Sequence, residues 1–517
     1  MPFQHIKKAV GNWIDDLRGR QKYRRYGEKE NRIKRLTSQI VALLGMLSAI
    51  FYLFFCFYYA NWEVWYVFIP FIIADISFFI LYLLTMSNLW LKRYHNPQGL
   101  VREEHFMVDV FIPVYNEPLD IVEETIAAAA KLDYDYKTVY VLDDGDRDAL
   151  KTLTEKYGLN YIRRPEHKNS KAGNLNYAFA RTNGEMILAI DADQVAKPEL
   201  IKKIVGYFRI PRIAFVQTPQ SFKLPKGDPW GNADKVFYHA IQSSKDYDNS
   251  AISCGTGVMY RRKALESVNG FSEWNVVEDL HTSLRLHDKG WHSIYYPLPL
   301  TIGTAPQEVV SQIKQRWHWA VDSMRMLFWD CPLTHKNLSW PQRLQYFHFG
   351  YYYLVIGIFI PIAIFFVPQW ALFTHKFILT IPPIMYILAR LPYLILEIIA
   401  GKLLTDQTVG FKSNRAQVAL FAVYFNAFFV ALKSKKTLPE YTVTRKVARE
   451  DSFYVRLKPC LPHLIVISIS ITAMVYGIMT IKDDFWFLFI NILVSAFCLL
   501  YLSKFIVLSL WPKVFIK

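Results

Sequence analysis

Two aspartates separated by one residue, Asp191 and Asp193, follow a short apolar run that ends at Ile190. Two carboxylates this close together on a bending chain can hold a hard divalent cation that also binds a diphosphate. A second acidic pair, Glu278 and Asp279, offers a carboxylate that can remove a proton from an attacking hydroxyl. Such a pair also suits the first turn of a helix, where it accepts backbone amide hydrogens. The chemistry therefore depends on the motifs that accompany these acids.

Five further polar motifs surround the two acidic pairs. In chain order they are Tyr115-Asn116-Glu117, Asp143-Asp144-Gly145, Lys171-Ala172-Gly173-Asn174, Cys254-Gly255-Thr256-Gly257 and Gln315-Arg316-Trp317-His318-Trp319. The acidic clusters at Asp143 and Asp191 both follow apolar runs typical of buried strands. Because ligands of open α/β sheets bind beyond the carboxyl ends of the strands, we expect these clusters to share one cleft.

Alternating short apolar runs and helical stretches between about Met107 and Thr301 predict the domain that positions these residues. Strands are expected at 108–113, 139–142 and 186–190, and a helix is expected to hold the alanine run 127–130. Strands that alternate with helices indicate βαβ units and a parallel sheet. The predicted fold class is α/β, with a Rossmann-like domain.

Composition places this domain in a membrane protein. The 517 residues are 52% apolar and 16% aromatic, which is too apolar for an ordinary soluble protein. Six stretches reach the ~20 apolar residues that a bilayer core requires. They are 40–60, 64–91, 346–367, 377–400, 461–481 and 485–510. We therefore predict six transmembrane helices, two before the polar centre and four after it.

The distribution of charge predicts the orientation in the membrane. The net charge is +16, and its basic residues flank the apolar spans, so we expect a lipid bilayer and no nucleic acid as partner. Basic residues outnumber acidic ones in 1–36 and 401–460, which predicts an integral plasma-membrane protein with both termini and the central domain in the cytoplasm. The shorter apolar stretch 418–432 is expected to be an interfacial helix.

Ionisable residues inside the predicted spans allow two interpretations. Arg390 and Glu397 lie seven residues apart on one helical face, and Asp75 lies in the second span. Charges in a bilayer either face a polar path or pair with one another, and both alternatives remain open here. The five cysteines form no CxxC pair and no even framework, which argues against a zinc site and against disulfides.

The motifs, in this order, resemble those of bacterial cellulose synthase catalytic subunits, which are processive, inverting family-2 membrane glycosyltransferases. The resemblance extends over roughly residues 37–510, and the segment 441–446 is similar to that family's FxVTxK gating loop. It implies a cytoplasmic glycosyltransferase A-type domain inserted between transmembrane helices. The implied division is a basic N-terminal segment (1–36), transmembrane helices 1 and 2 (37–91), the glycosyltransferase domain (92–304), interface helices (305–345), transmembrane helices 3 and 4 (346–400), an interface helix with the gating loop (401–460), and transmembrane helices 5 and 6 with the C-terminus (461–517).

The same resemblance implies a role for each motif. Asp279, next to Glu278, is the candidate catalytic base, and Asp191 and Asp193 are the candidate ligands of Mg²⁺ or Mn²⁺. The candidate nucleotide-binding residues are Tyr115, Glu117, Asp143, Asp144, Lys171, Asn174 and Asp191. The candidates for contact with the diphosphate and the acceptor are Gln315, Arg316, His318, Trp319 and Cys254. The candidates in the gating loop are Tyr441, Val443, Thr444 and Lys446.

One position departs from the family pattern. The QxxRW motif of the family has an arginine where this chain has His318, and a histidine is largely neutral near pH 7 unless a neighbouring phosphate raises its pKa. Arg316 or Arg325 is the alternative source of the missing charge. Trp319 is expected to stack under the acceptor sugar, whereas Trp317 is expected to anchor the helix at the membrane interface.

The predicted function is therefore polymerisation of a hexose from a UDP-sugar, with UDP-glucose and a β-glucan favoured, and export of the product through the helices. Synthesis of chitin, hyaluronan, curdlan or a capsular glucan remains open, as does non-processive transfer to a lipid acceptor. A channel or carrier with a nucleotide-sensing domain would leave two features unexplained, the acidic pair Glu278-Asp279 and the aromatic side chain of Trp319. The expected partners are the UDP-sugar, the growing polysaccharide, the bilayer and an envelope subunit.

Overall fold

The computed structural model describes residues 33–92, 95, 104–224, 228, 231–232, 234–306, 308–405, 411–436 and 452–511. Two helices precede the central domain, α1 (Ile33–Tyr58) and α2 (Trp65–Leu89). α1 begins seven residues before the predicted apolar span, because a helix continues past the hydrocarbon into polar sequence. Asn61 fixes the turn between the two helices, since its side chain accepts the N–H of Glu63 and donates to the carbonyl of Phe377.

The central domain contains two sheets. Its strands are β1 (Val108–Val114), β2 (Lys137–Asp143), β3 (Asn160–Arg163), β4 (Met186–Ala189), β5 (Gln194–Ala196), β6 (Ile213–Gln217), β7 (Gln220–Lys223), β8 (Val258–Arg261), β9 (His292–Tyr295) and β10 (Thr301–Thr304). The larger sheet has the order β3-β2-β1-β4-β8-β6-β9, and the smaller one has the order β5-β10-β7. The predicted strands at β1, β2 and β4 are confirmed, and every residue of β1 is buried, as a central strand covered on both faces requires.

The larger sheet is mixed and not wholly parallel. β3, β2, β1 and β4 run parallel, whereas β8 runs antiparallel to both β4 and β6. β6 and β9 again run in the direction of β4, so among the described strands of this sheet six share one direction and β8 alone is reversed. The prediction of a parallel sheet is therefore right except for β8. Hydropathy indicates that a strand is buried and does not indicate its direction, so β8 could not be distinguished from its neighbours.

Seven helices cover or flank the sheets. They are α3 (Leu119–Ala130), α4 (Asp148–Lys156), α5 (Ser170–Phe179), α6 (Leu200–Ile204), α7 (Gln242–Tyr247), α8 (Arg262–Glu266) and α9 (Glu278–Asp288). α3 contains the predicted helix at the alanine run. Its buried residues recur at a helical spacing, Val122, Thr125, Ile126 and Ala129, and they pack it against the sheet.

The remaining helices connect the domain to the membrane. They are α10 (Val309–Trp329), α11 (Trp340–Leu354), α12 (Val367–Thr374), α13 (Pro383–Leu404), α14 (Phe411–Val418), α15 (Phe421–Lys433), α16 (Phe453–Leu457), α17 (Leu461–Thr480) and α18 (Phe485–Leu510). α11 and α12 are joined by two wide π-helical stretches into one span, Trp340–Thr374. Within the described residues, six helices are long and apolar enough to cross a membrane, two before the domain and four after it, as predicted.

Two further differences from the hydropathy pattern concern the fourth span and the short helix α15. The fourth span begins at Pro383 and not at Phe377, because Leu379 pairs with Ala60 in a β-bridge before the helix starts. The stretch 418–432 is interrupted at Ala419 and Leu420, so α15 begins at Phe421. α15 has 13 residues, which is too short to cross a bilayer and agrees with an interfacial helix.

Two glycines of the third span allow unusually close helix packing. A Cβ added at Gly350 would lie 2.5 Å from the carbonyl oxygen of Ser323 in α10. A Cβ added at Gly357, seven residues later, would lie 2.8 Å from the carbonyl carbon of Tyr424 in α15. Small residues at helix interfaces let backbones approach in this way. The third span thus contacts the main chains of both α10 and α15.

The charges inside the spans form an ion pair between helices. Arg390 of α13 donates from Nη1 and Nη2 to the two carboxylate oxygens of Asp75 in α2, at 2.9 and 3.0 Å. Nη1 also donates to the hydroxyl of Tyr386 at 2.7 Å, and the hydroxyl of Tyr52 in α1 donates to Asp75. Of the two interpretations, the structure supports the inter-helix pair. Its acidic member is Asp75, whereas Glu397 lies two turns away.

Candidate active site

The predicted cleft lies where the parallel strands β1, β2 and β4 end. β1 pairs with β2 along its whole length, so that Val114 lies opposite Asp143, and β4 pairs with β1 on the other side. Asp144 directly follows β2, and Asp191 and Asp193 follow β4. The two acidic clusters therefore share the carboxyl edge of the sheet, as expected from the sequence.

Lys171, in the first turn of α5, connects three motifs. Its Nζ lies 2.7 Å from Asp191 Oδ1 and 3.1 Å from Glu278 Oε1, and it donates to the carbonyl oxygen of Gly255 at 2.9 Å. Burial opposes the charge, but the Asp191 and Glu278 carboxylates raise the pKa of Lys171 well above its usual value. A permanently charged ammonium at this position suits a ligand with phosphate groups.

The glycine loop 254–257 passes directly against this cluster. Gly255 has a positive φ of 74°. A Cβ at this position would lie 3.0 Å from Lys171 Nζ, 3.1 Å from Asp279 Oδ2 and 3.4 Å from Glu278 Oε1. Three charged groups from two helices therefore converge on one point, and only glycine leaves them room.

The acidic pair begins α9. The N–H of Val277, just before the helix, donates to Asp322 Oδ2 of α10 at 2.6 Å, which holds this end of α9 in place. Asp279 Oδ1 accepts the N–H of Leu280 at 2.6 Å, as an acid in a first helical turn does, whereas Oδ2 faces the glycine loop. Burial and the neighbouring Glu278 carboxylate raise the pKa of Asp279 well above its usual value. A raised pKa makes this carboxylate a stronger base.

Asp191 and Asp193 form the candidate metal site. The N–H of Asp191 donates to Thr256 Oγ1 at 2.9 Å, and burial raises the pKa of the Asp191 carboxyl. In the part of the chain that the structure describes, no group of three or more His, Cys, Asp or Glu side chains could hold a metal ion. Two carboxylates fit Mg²⁺ or Mn²⁺, because such ions take their remaining ligands from water and phosphate oxygens.

Asp143 shapes the loop that follows β2. Its carboxylate accepts the N–H of Gly145 at 2.9 Å and the N–H of Arg147 at 2.7 Å, and it also accepts the hydroxyl of Tyr161. The side chain is fully buried. The Asp143 carboxylate therefore makes hydrogen bonds within the protein and does not face the cleft, although the sequence analysis grouped it with the nucleotide-binding residues.

Asp144 is held by a cation that the sequence analysis did not identify. Arg164 donates to both of its oxygens, from Nε at 2.6 Å and from Nη2 at 2.7 Å. His167 Nδ1 lies 2.8 Å from Asp144 Oδ1, and this hydrogen bond raises the pKa of His167. Arg164 directly follows β3, at the same sheet edge as the acidic clusters. Its position at the end of a strand is the sequence feature from which its place in the site could have been predicted.

The other candidate nucleotide-binding residues occupy different environments. Tyr115 is exposed at the rim, and its N–H donates to the Glu117 carboxylate at 2.8 Å. Asn174 is buried and donates to the carbonyl of Leu142 at 3.0 Å, so it ties α5 to β2 within the core. Burial raises the pKa of the Cys254 thiol well above its usual value, which keeps it neutral.

On α10, the structure distinguishes the two candidate cations of the fifth motif. The Arg316 guanidinium lies 4.7 Å from the ring centroid of Trp319 and 3.3 Å from Asp234 Oδ2. Although burial opposes it, the Asp234 carboxylate raises the pKa of Arg316, so the guanidinium stays charged. His318 is 4% exposed and meets Trp317 edge to face at 5.2 Å. Arg316, and not His318, accompanies the candidate acceptor tryptophan.

Arg325 has a different role from the one considered in the sequence analysis. It is fully buried and donates to two carbonyl oxygens, from Nη1 to Trp274 at 2.7 Å and from Nε to Ser434 at 2.8 Å. It therefore ties the segment before α9 to α10 and to the end of α15. Gln315 is half-buried on the same helix.

A group of tyrosines continues from Arg316 towards the third span. The rings of Tyr353 and Tyr424 meet at 4.9 Å, and the Tyr424 hydroxyl donates to Gln417 Oε1 at 2.9 Å. Both tyrosines lie close enough to Arg316 to influence the pKa of its guanidinium. Aromatic rings beside hydrogen-bonding groups are suited to contact a sugar chain. The gating residues Tyr441, Val443, Thr444 and Lys446 lie outside the described residues.

The α/β domain, its acidic cleft and the flanking apolar helices define a membrane-integrated glycosyltransferase of the A type. Comparison with known families agrees. Residues 109–268 match the model of glycosyl transferase family 2, and residues 268–411 match the cellulose synthase model. The chain belongs to glycosyltransferase family 2 and is cellulose synthase-like.

Curated relatives support the same assignment. The chain is 36% identical over 282 residues to the cellulose synthase 1 catalytic subunit [UDP-forming] of Komagataeibacter xylinus, which covers 52% of this chain and 37% of the relative. It is 38% identical over 266 residues to the cellulose synthase catalytic subunit [UDP-forming] of Pseudomonas fluorescens (strain SBW25), covering 48% of this chain and 36% of the relative. The chain thus spans well under half the length of these two relatives.

Among solved structures, the chain resembles a mannosyltransferase from Pyrobaculum calidifontis in complex with GDP-Man and Mn²⁺. The TM-score is 0.49 and the sequence identity is 17%, over 69% of this chain and 97% of that chain.

Proposed function

We propose that this chain transfers a hexose from a UDP-sugar, with UDP-glucose as the first candidate, to the end of a growing β-linked polysaccharide. The observation that carries the proposal is the convergence of Lys171, Glu278 and Asp279 on Gly255, with Lys171 in contact with Asp191. This convergence places a candidate base next to candidate ligands for a diphosphate. The relatives are named as UDP-forming cellulose synthases, which supports the donor and the product.

Asp279 acts as the general base in this proposal. Its carboxylate takes the proton of the acceptor hydroxyl while that oxygen attacks the anomeric carbon of the donor. The bond from this carbon to the diphosphate oxygen breaks, UDP leaves with the electron pair, and attack from the opposite face inverts the configuration. Glu278 helps to keep Asp279 basic, because its negative charge disfavours a second carboxylate.

Lys171 and the two aspartates bind the leaving side of the donor. Asp191 and Asp193 would hold Mg²⁺ or Mn²⁺, which supplies positive charge to the diphosphate when bound. The Lys171 ammonium, held between Asp191 and Glu278, orients the same group. Chelation of divalent cations should therefore abolish turnover, and added Mg²⁺ or Mn²⁺ should restore it.

A processive reaction is favoured over a single transfer to a lipid. Arg316 and Trp319 lie on α10, whose Asp322 accepts a hydrogen bond from the residue that precedes the acidic pair. Tyr353 and Tyr424 continue from them to the third span. This arrangement suits a polymer that leaves through the membrane. A cytoplasmic domain agrees with the basic flanks of the spans. Closure of a gating loop by Thr444 and Lys446 stays a prediction, and so does an envelope partner subunit.

The test uses purified protein in nanodiscs with single UDP-sugars and Mg²⁺ or Mn²⁺. UDP release is measured, the product is sized, and the product is digested with linkage-specific glycosidases. We expect a polymer from UDP-glucose that a β-glucanase degrades. A single sugar attached to lipid would contradict the processive reaction.

Two variants make this test specific. Asp279→Asn should lower turnover at least about 100-fold, as expected for loss of a general base, while UDP still binds. Asp288→Asn changes a carboxylate at the other end of α9, near His335 and away from Lys171, and should leave turnover within about twofold. Equal activity of Asp279→Asn and the wild-type protein would refute the assigned base.

A further inference from the structure

A cavity of about 400 Å³ lies between the spans, outside the active site. It is bounded by α1, α2 and the start of α11. Its apolar wall contains Ala42, Leu43, Met46, Leu83, Met86 and Leu344. At one end the wall becomes polar, with Asp248, Gln345 and Asn88. An apolar cavity of this size with a few polar groups at one end is typical of a site for an amphipathic molecule.

The cavity is oriented along the membrane normal. Gln39 Nε2 donates to the carbonyl of Trp90 at 3.1 Å, so these residues of α1 and α2 lie at one level. Trp90 and Trp340 line the cavity, and tryptophans mark the interface between lipid and water. From Gln39 to Met46 the helix rises about 10 Å at 1.5 Å per residue. The cavity thus extends from the interface into the hydrocarbon.

The mouth of the cavity faces lipid. Leu43 lines the cavity and is 45% exposed, and Leu47, one turn deeper on α1, is 58% exposed. Both lie in a helix with the composition of a membrane span. The surroundings of the mouth are therefore acyl chains, and an acyl chain matches the wall.

The polar end contains a carboxylate, and a cation lies on α1 beyond the residues that line the cavity. Asp248 Oδ2 accepts a hydrogen bond from Gln345 Nε2 at 2.8 Å, and Gln345 in turn accepts two hydrogen bonds from the buried Lys245. Arg35 precedes Gln39 by four residues and Ala42 by seven, so it lies on the cavity side of α1, one turn further towards water. A guanidinium suits a phosphate, and a carboxylate suits an ammonium.

We propose that this cavity binds one glycerophospholipid whose headgroup carries a primary ammonium. One acyl chain lies among the residues of the apolar wall, the phosphate lies near Arg35, and the ammonium meets Asp248. The bound lipid lies between α1, α2, the start of α11 and the end of α7. α7 also touches the glycine loop, because Gln242 Nε2 lies 3.4 Å from Cys254 Sγ. The site is independent of the proposed catalytic function.

The experiment measures lipid retention by native mass spectrometry. The whole protein is purified from nanodiscs of phosphatidylethanolamine, phosphatidylglycerol or phosphatidylcholine with identical acyl chains. We expect one phosphatidylethanolamine per chain to survive delipidation. Retention of phosphatidylglycerol in its place would overturn the headgroup assignment, and retention of fatty acid or detergent in all three would show a site for acyl chains only.

Matched variants separate this site from ordinary surrounding lipid. Leu43→Trp blocks the mouth at an exposed position and should abolish retention. Leu47→Trp introduces the same side chain one turn away, outside the cavity lining, and should retain the lipid. Asp248→Asn should lower the preference for phosphatidylethanolamine over phosphatidylcholine about tenfold. Equal retention in both tryptophan variants would overturn the proposal, and the melting temperature of each variant confirms its folding.

Discussion

Lys171 is the residue on which the separate motifs of the candidate site meet. Its ammonium contacts Asp191 and Glu278, and its Nζ lies 3.0 Å from the position that a Cβ atom at residue 255 would occupy. The sequence contains each of these residues in a recognisable motif. The contacts between them follow from the crossing of α5, α9 and the glycine loop, which no spacing in the sequence encodes.

The pH dependence of turnover should report the acidic pair. Because a base acts only when deprotonated, and because the pKa of Asp279 is raised, activity should fall as the pH decreases through a value well above that of a free carboxyl group. Glu278→Gln removes the neighbouring negative charge and should move this acid limb to lower pH. The measurement is kcat/KM against pH for both proteins. Coincident acid limbs would show that Glu278 does not influence the base.

The two candidate cations of α10 should differ in effect. Arg316→Gln removes the charge beside Trp319 and Asp234, and we expect turnover to fall at least about tenfold, the effect of losing one charge-assisted contact. His318→Gln changes a ring that packs on Trp317 and should act mainly on the melting temperature. Initial rates and thermal unfolding of both variants check this. The opposite ranking in rate would return the diphosphate contact to His318.

At the scale of elements, α10 connects the acceptor side of the site to the acidic pair. It contains Trp319 near its middle, and further on it contains Asp322 and Arg325, which hold the segment before α9. The resemblance to cellulose synthases predicts that α10 is an interface helix. Sequence patterns gave no sign of Asp322, because a buried acid in an amphipathic helix is indistinguishable from a solvated one until its partner is known.

Asp322 should act as a positioning residue. Asp322→Ala leaves the half-buried N–H of Val277 without its acceptor, at a cost of about 1–3 kcal/mol, and shifts Asp279 with it, so kcat should fall more than KM rises. Asp322→Asn keeps an acceptor oxygen and should recover most of the rate. Ser323→Ala is the control on the same helix. Equal kcat values for the alanine and asparagine variants would contradict this role.

The same residue predicts a pH dependence of stability. Burial raises the pKa of Asp322 to about 7, whereas an unfolded aspartate titrates near about 4. Between these values the folded state binds a proton that the unfolded state does not, so stability is greatest at the acidic end and decreases as the pH rises towards 7. The melting temperature of the wild-type protein minus that of Asp322→Asn should decrease over this range. A constant difference would show that Asp322 does not titrate there.

At the scale of the whole molecule, the lengths of the apolar stretches predicted six spans, and the described part of the chain forms six suitable helices. The composition cannot specify which helices contact each other. In the sequence, the acidic residue nearest to Arg390 on its predicted helix is Glu397, seven residues away. In the structure, the ion-pair partner of Arg390 is Asp75, 315 residues away. Contacts of this kind depend on packing between helices from opposite ends of the chain.

This ion pair should be costly to break and inexpensive to replace. Arg390→Met leaves the Asp75 carboxylate buried without its partner, and we expect a loss of about 3–5 kcal/mol with a large drop in melting temperature. The double variant Arg390→Met with Asp75→Leu removes both charges and should recover most of this loss. Thermal unfolding in nanodiscs measures both. A double variant as unstable as the single one would contradict this prediction and would show that Arg390 and Asp75 stabilise the protein by more than their mutual ion pair.

The close contacts of Gly350 and Gly357 limit which helices can move relative to one another. At these positions the main chains of α10 and α15 touch the third span, and even a methyl group has no room. Sliding one of these helices along the span would drive bulkier neighbours into the two gaps. α10, α15 and the third span therefore form one rigid unit, and Trp319 and Tyr424 have fixed positions in it. In the proposed polymerisation, each added sugar would then advance past stationary rings, so the polymer would move and the helices that contact it would not.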